Sequence, residues 1–111
     1  MEKRGRQRKK TRMSIRFGPE RPDRMGLITD VSARGIYIST NAVLPQGSTV
    51  RVHVPMPGGG EPLQLDGRVT RARRVAPALV TCTMGGMGVR IEQAPETWRA
   101  RLALPDEPGG G

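Results

Sequence analysis

Aromatic side chains are almost missing: Phe17, Tyr37 and Trp98 are the three in 111 residues. That scarcity argues against a platform on which the bases of single-stranded nucleic acid stack. Cysteine is nearly missing too, and the single Cys82 excludes an internal disulfide. With His53 the sole histidine, Cys82 cannot complete a structural zinc site either. Both residues are expected to be ordinary ones, His53 on a surface and Cys82 as a small buried hydrophobe. No apolar run approaches the roughly 18 residues that suggest a membrane helix, and no apolar segment follows the N-terminal charges as a secretory signal requires. The chain is expected to be soluble and cytoplasmic. Also lacking are a GxGxxG turn, a Walker loop, an HExxH pair and paired carboxylates for acid–base work, so the sequence reads as noncatalytic. Acidic residues number 10 against 19 Lys and Arg, a net charge of +9. Such an excess favours an anionic partner, be it a nucleotide, nucleic acid, a phosphorylated protein or acidic lipid.

What is present is a repeated alternation of period two, in a length that suits one small domain. Met13, Ile15 and Phe17 share one face of a first strand, GPERPD supplies a turn, and a second strand runs around Met25 to Val31. Ile36 and Ile38 point one way and Tyr37 the other; a polar loop through Asn41 and a turn at Pro45–Gly47 follow. Val50, Val52 and Val54 oppose Arg51 and His53, the pattern of a sheet with one wet face. After the breaker PMPGGGEP, the segment Leu63 to Val75 sets Leu63, Leu65, Gly67 and Val69 inward, with Gly67 marking a bulge or bend. Leu79 to Met84 and Gly85 to Glu92 offer further strands, the last with Val89 and Ile91 inward. PETWRARLAL, Pro95 to Leu104, predicts the one helix: Pro95 opens it, Glu96 suits its positive end and Trp98 anchors it.

Six or seven short antiparallel strands must protect their edges, and closing into a small barrel does so. The expected architecture is therefore all-β, a small antiparallel barrel with a short C-terminal α-helix. Its parts are a flexible basic arm over residues 1–12, the barrel and helix over 13–104 and a disordered tail over 105–111. The arm holds six basic residues in its first eleven positions against Glu2 alone, and in isolation it is predicted to be disordered.

Two short stretches carry chemistry. Asp30 and Ser32 lie two apart, which on a strand puts them on one face. A carboxylate accepts two hydrogen bonds and so suits the N1 and N2 donors of a guanine edge, with a hydroxyl to donate or accept beside it. Gly35 offers a positive φ for a close turn against a ligand. The plainer reading is an Asx or Ser turn with Gly35 closing a hairpin. Arg8 and Arg12, four apart, offer two rigid donor forks to one anion, whereas Lys9 and Lys10 add field more than geometry. The plainer reading there is a solvated charge run. Arg68, Arg71, Arg73 and Arg74, with Arg90 nearby, form a further basic patch that reads first as a wet sheet face.

Together these stretches resemble the two signatures of the PilZ domain family, RxxxR and (D/N)xSxxG. They stand here as Arg8-Lys9-Lys10-Thr11-Arg12 and Asp30-Val31-Ser32-Ala33-Arg34-Gly35, in the family's order. Arg4 and Arg8 also fit the first spacing; distance to the first strand favours Arg8 with Arg12. GMGVRI, Gly86 to Ile91, resembles the family's late glycine-containing strand, so the likeness covers nearly the whole chain.

The resemblance implies a split-barrel fold and a noncatalytic receptor for cyclic di-GMP. It assigns Arg8 and Arg12 to the phosphates and to stacking on guanine, and Asp30, Ser32 and Gly35 to a guanine, with Gly86 and Arg90 as supplementary contacts. It also implies a downstream protein partner in motility, pilus function or exopolysaccharide output. A barrel without a coiled-coil segment predicts a monomer. The competing readings are a ligand-independent PilZ-like protein adaptor, using barrel surface and helix, and nonspecific binding of nucleic acid.

Overall fold

The computed structural model describes residues 9–32, 34–56, 58–76 and 84–102. Arg8, the strand expected over Leu79–Met84 except for Met84, Cys82 and the tail over 105–111 lie outside these residues. Six strands and one helix follow in chain order: β1 (Lys9–Gly18), β2 (Arg24–Val31), β3 (Gly35–Ser39), β4 (Thr49–Val54), β5 (Leu63–Arg73), β6 (Gly86–Gln93) and α1 (Glu96–Leu102). All pairings are antiparallel, and the strands close in the order β1-β2-β3-β6-β5-β4. The barrel and C-terminal helix match the fold expected from the alternation.

Period two decides what goes inside. Ile15 and Phe17 of β1, Ile36 and Ile38 of β3, Val50, Val52 and Val54 of β4, Leu65 and Val69 of β5 and Val89 of β6 are all buried in one core. Most are β-branched, a side-chain shape that packs well on a pleated surface and lets a barrel fill with almost no aromatics. Gly67 sits at a register shift between β5 and β6, as the expected bulge requires. The PMPGGG turn between β4 and β5 carries Gly58, Gly59 and Gly60 at positive φ, a region that side chains with a Cβ rarely enter.

Two segments depart from the sequence expectation. First, β1 begins at Lys9 rather than Met13: Lys9 pairs with Val31 and Lys10 with Asp30. A backbone ladder needs no apolar side chain, so the hairpin with β2 carries the end of the basic arm, Lys9–Arg12, along as strand. Second, the connection after β3 is not merely polar, because Val43 and Leu44 belong to the core. Buried Thr40 holds that loop in place: its Oγ1 donates to the Met25 carbonyl at 3.0 Å and accepts from the Ala42 N–H at 3.0 Å.

α1 is short and depends on tertiary packing more than on its own propensity. Trp98 supplies that packing, being 2% exposed and part of the core cluster. Its indole Nε1–H is buried without an acceptor, which offsets part of the gain. Trp98→Ala is expected to lower unfolding stability by about 3–5 kcal/mol, measured by urea denaturation. Trp98→Phe should lose clearly less, since it keeps most of the ring volume and removes the orphaned donor; equal losses would contradict this account.

Candidate functional site

The hairpin between β2 and β3 builds the centre of the site. Ser32 N–H donates to the Gly35 carbonyl at 2.9 Å, and Gly35 N–H donates to Ser32 Oγ at 3.2 Å. This is the Ser turn of the plainer reading, with Gly35 closing the hairpin. The Ser32 hydroxyl also lies 3.4 Å from the Gly35 carbonyl, a long donation that leaves it able to exchange for a better acceptor.

Gly35 does not take the positive φ that the motif suggested. Its role is steric: a Cβ there would stand 2.9 Å from the Val89 carbonyl oxygen, because β6 passes close by with Arg90 opposite Gly35. Glycine is needed for the approach of two strands, not for a turn.

Asp30 faces outward from β2 with its side chain 19% exposed. Lys10 stands opposite on β1 and places Nζ 3.0 Å from Asp30 Oδ1. Lys10 thus has definite geometry as well as charge, where the sequence suggested field more than geometry. The contact supplies charge without hydrogen-bond alignment, so the buried Oδ1 has no aligned donor. A largely buried carboxylate whose close cation is one exposed lysine keeps accepting capacity for a ligand.

Asp30 and Ser32 border a single open cleft of about 560 Å³ that runs across β3 to β6 and β5, where Tyr37, Thr70, Arg71, Gly88 and Arg90 line it together with Arg34 and Gly35. That volume suits a small-molecule ligand. Its floor is low because Gly35 and Gly88 have no side chains, while Tyr37 lies over Gly86, where a Cβ would collide with its ring. Of the residues expected from sequence, the structure brings Asp30, Ser32 and Gly35 together on this cleft. Arg12 is exposed on β1 at the irregular step between Lys10 and Met13 and is not among the lining residues. Gly86 and Arg90 lie on β6, Arg90 in the cleft wall and Gly86 beneath Tyr37.

Of the basic patch read from sequence, Arg71 and Arg90 line the cleft, and Arg68, Arg73 and Arg74 do not. Arg68 is neutralised by Glu92 at 3.4 Å and also donates to the Gly47 carbonyl at 3.1 Å. Arg51 likewise pairs with Asp66 at 3.2 Å. Among the described residues, Arg34, Arg71 and Arg90 have no carboxylate partner, and all three border the cleft. Alternation in GIYIS and GMGVR puts Tyr37, Gly88 and Arg90 outward, but nothing local says that they share a surface with Asp30. Among the described residues no cluster of His, Cys, Asp and Glu is fit to hold a metal ion.

Two substitutions separate the roles within the turn. Ser32→Ala removes one half-buried hydrogen-bonding group and is expected to cost about 1 kcal/mol of stability. Gly35→Ala forces β3 and β6 apart and should cost about 1–3 kcal/mol, with the larger loss in a urea melt. A Gly35→Ala variant as stable as the parent would contradict the close approach.

The geometry has counterparts among known proteins. No curated protein matches the chain in sequence. A solved structure of the Bacillus subtilis inhibitor of motility, MotI/DgrA, is similar at a TM-score of 0.66 and 16% identity, covering 92% of this chain and 48% of that one. The chain therefore spans about half the length of that structure, and the likeness at this identity is one of fold. The model of the PilZ domain matches residues 2–103, and on that match across nearly its whole length the chain belongs to the PilZ domain family.

Proposed function

We propose that this chain is a noncatalytic cyclic di-GMP receptor whose cleft takes one guanine on Asp30 and Ser32. PilZ domains are noncatalytic receptor or adaptor domains of cyclic di-GMP signalling, and family membership gives the chain that general role. The observation that carries the finer reading is the Asp30 carboxylate, with a buried Oδ1 that has no aligned donor. Guanine offers N1–H and N2–H side by side, the donor pair that a carboxylate accepts.

Lys10 must yield for that contact to form. Its side chain is 86% exposed against 19% for Asp30, so the lysine can swing into water while the carboxylate stays in place. Two hydrogen bonds from guanine to the charged acceptor, about 1.5–3 kcal/mol each, then replace one ion pair. Arg8 and Arg12 clasp its phosphates in this reading. Lys9 to Arg12 already run as strand, so the part of the arm that closes over the ligand is the stretch up to Arg8. Closure changes the surface offered to a downstream protein, and the similarity in fold to an inhibitor of motility supports a motility partner. Among the described residues no helix is long and apolar enough to cross a membrane.

Calorimetric titration with cyclic di-GMP, with cyclic di-AMP as control, tests this reading. Saturable, guanine-selective heat is expected, weakened about tenfold to a hundredfold by Asp30→Ala and by Arg12→Ala. No heat at about 100 µM nucleotide from folded protein would overturn the receptor and leave the ligand-independent adaptor.

A further inference from the structure

Asp30, Tyr37, Gly88 and Arg71 are successive cross-strand neighbours in one row across β2, β3, β6 and β5. Gly35 and Arg90 are paired in a neighbouring row. Three strand spacings separate Asp30 from Arg71, about 14 Å along the sheet. Asp30 and Ser32 thus stand at one side of the cleft with Arg34 beside them, and Arg71 stands at the other.

Two further features mark the far side as a place for a ligand. The first is that Arg71 and Arg90, which border Gly88, have no carboxylate among the described residues, although Arg68, the cross-strand neighbour of Arg90, is held by Glu92. The second is Gly88, whose bareness the protein does not need. A Cβ there would meet Thr70 Oγ1 at 3.5 Å and Arg71 Cβ at 3.8 Å, ordinary contacts, and its φ is not in the left-handed region. Gly35 and Gly86, in contrast, are required by neighbouring atoms. A glycine within a strand weakens it, so an unforced one at the bottom of a cleft points to space kept for something else.

We infer that Arg71 and Arg90, on either side of Gly88, form a phosphate-receiving wall for the nucleotide whose guanine is held by Asp30 and Ser32. The inference rests on the cyclic di-GMP reading above and adds anion contacts from β5 and β6 to those of the N-terminal arginines. A phosphodiester lying over Gly88 is within reach of both guanidinium forks, which match its oxygens in geometry and charge. The bare Gly88 lets it approach the sheet closely.

The test is titration of the full chain with cyclic di-GMP at two salt concentrations, for Arg71→Gln, Arg90→Gln, their combination and Gly88→Val, each also followed by urea denaturation. Arg51→Gln serves as a control outside the cleft, and Asp30→Ala as a control for the guanine end. Each cleft arginine change is expected to weaken binding about tenfold and to make it less sensitive to salt, while Arg51→Gln binds as the parent does. Gly88→Val is expected to be as stable as the parent or more so, since valine suits a strand, yet to lose at least about tenfold in affinity. If Asp30→Ala loses binding while the cleft arginine variants and Gly88→Val bind normally, the wall is overturned and the receptor stands. A Gly88→Val protein that unfolds also overturns it, because the free space would not exist. No binding by the parent overturns the receptor and the wall together.

Discussion

The barrel closes through a very short seam. β1 meets β4 only through Arg16, Phe17 and Gly18, opposite His53, Val52 and Arg51. Without that seam β1 and β4 would both be open edges, with unpaired N–H and C=O groups along their length. With it, Phe17 and Val52 face the same interior, and inward rows from all six strands converge on one core. The seam also leaves the beginning of β1 bound to β2 alone. Lys10 is thereby set against Asp30.

Close approach of β3 and β6 converts that scaffold into a binding surface. Gly35 admits the Val89 carbonyl, and Gly86 admits the Tyr37 ring. Those contacts set the hairpin bearing Asp30 and Ser32 beside the strand bearing Arg90, and the bulge after Val69 brings Arg71 opposite Gly88. The electrostatic pattern follows the same division. Arg51 and Arg68 are compensated by Asp66 and Glu92, whereas Arg34, Arg71 and Arg90 on the cleft have no carboxylate among the described residues. A ligand with hydrogen-bond donors at one end and negative charge at the other matches this polarity.

Much of the architecture was legible from side-chain alternation. Val50, Val52 and Val54, Leu65 and Val69, and Ile36 and Ile38 all lie inside as their spacing requires. The helix at Glu96 and the Trp98 anchor were legible from Pro95 and from the single large aromatic near the C-terminus. Asp30, Ser32 and Gly35 were legible as a motif, yet the reason for Gly35 was not. Local sequence shows a glycine near a turn and suggests φ, whereas the constraint is the carbonyl of a residue 54 positions later. Likewise, Lys10 in a charge run carries no mark of its ion pair, and the apolar triplet Ala42 to Leu44 resembles a connection until Thr40 pins it against the core.

Residue order alone sets which face each strand buries, where turns fall, the positive excess and the order of the two motifs. Those properties depend on residue spacing and local backbone preference, which a chain carries wherever it goes. Packing in three dimensions places β3 between β2 and β6 and β5 after β6. It likewise leaves Arg71 and Arg90, but not Arg68, facing the cleft without a carboxylate. Period two fixes the side of a strand on which a residue stands but not the neighbour across the ladder, and that neighbour is chosen by how six apolar faces pack around one interior.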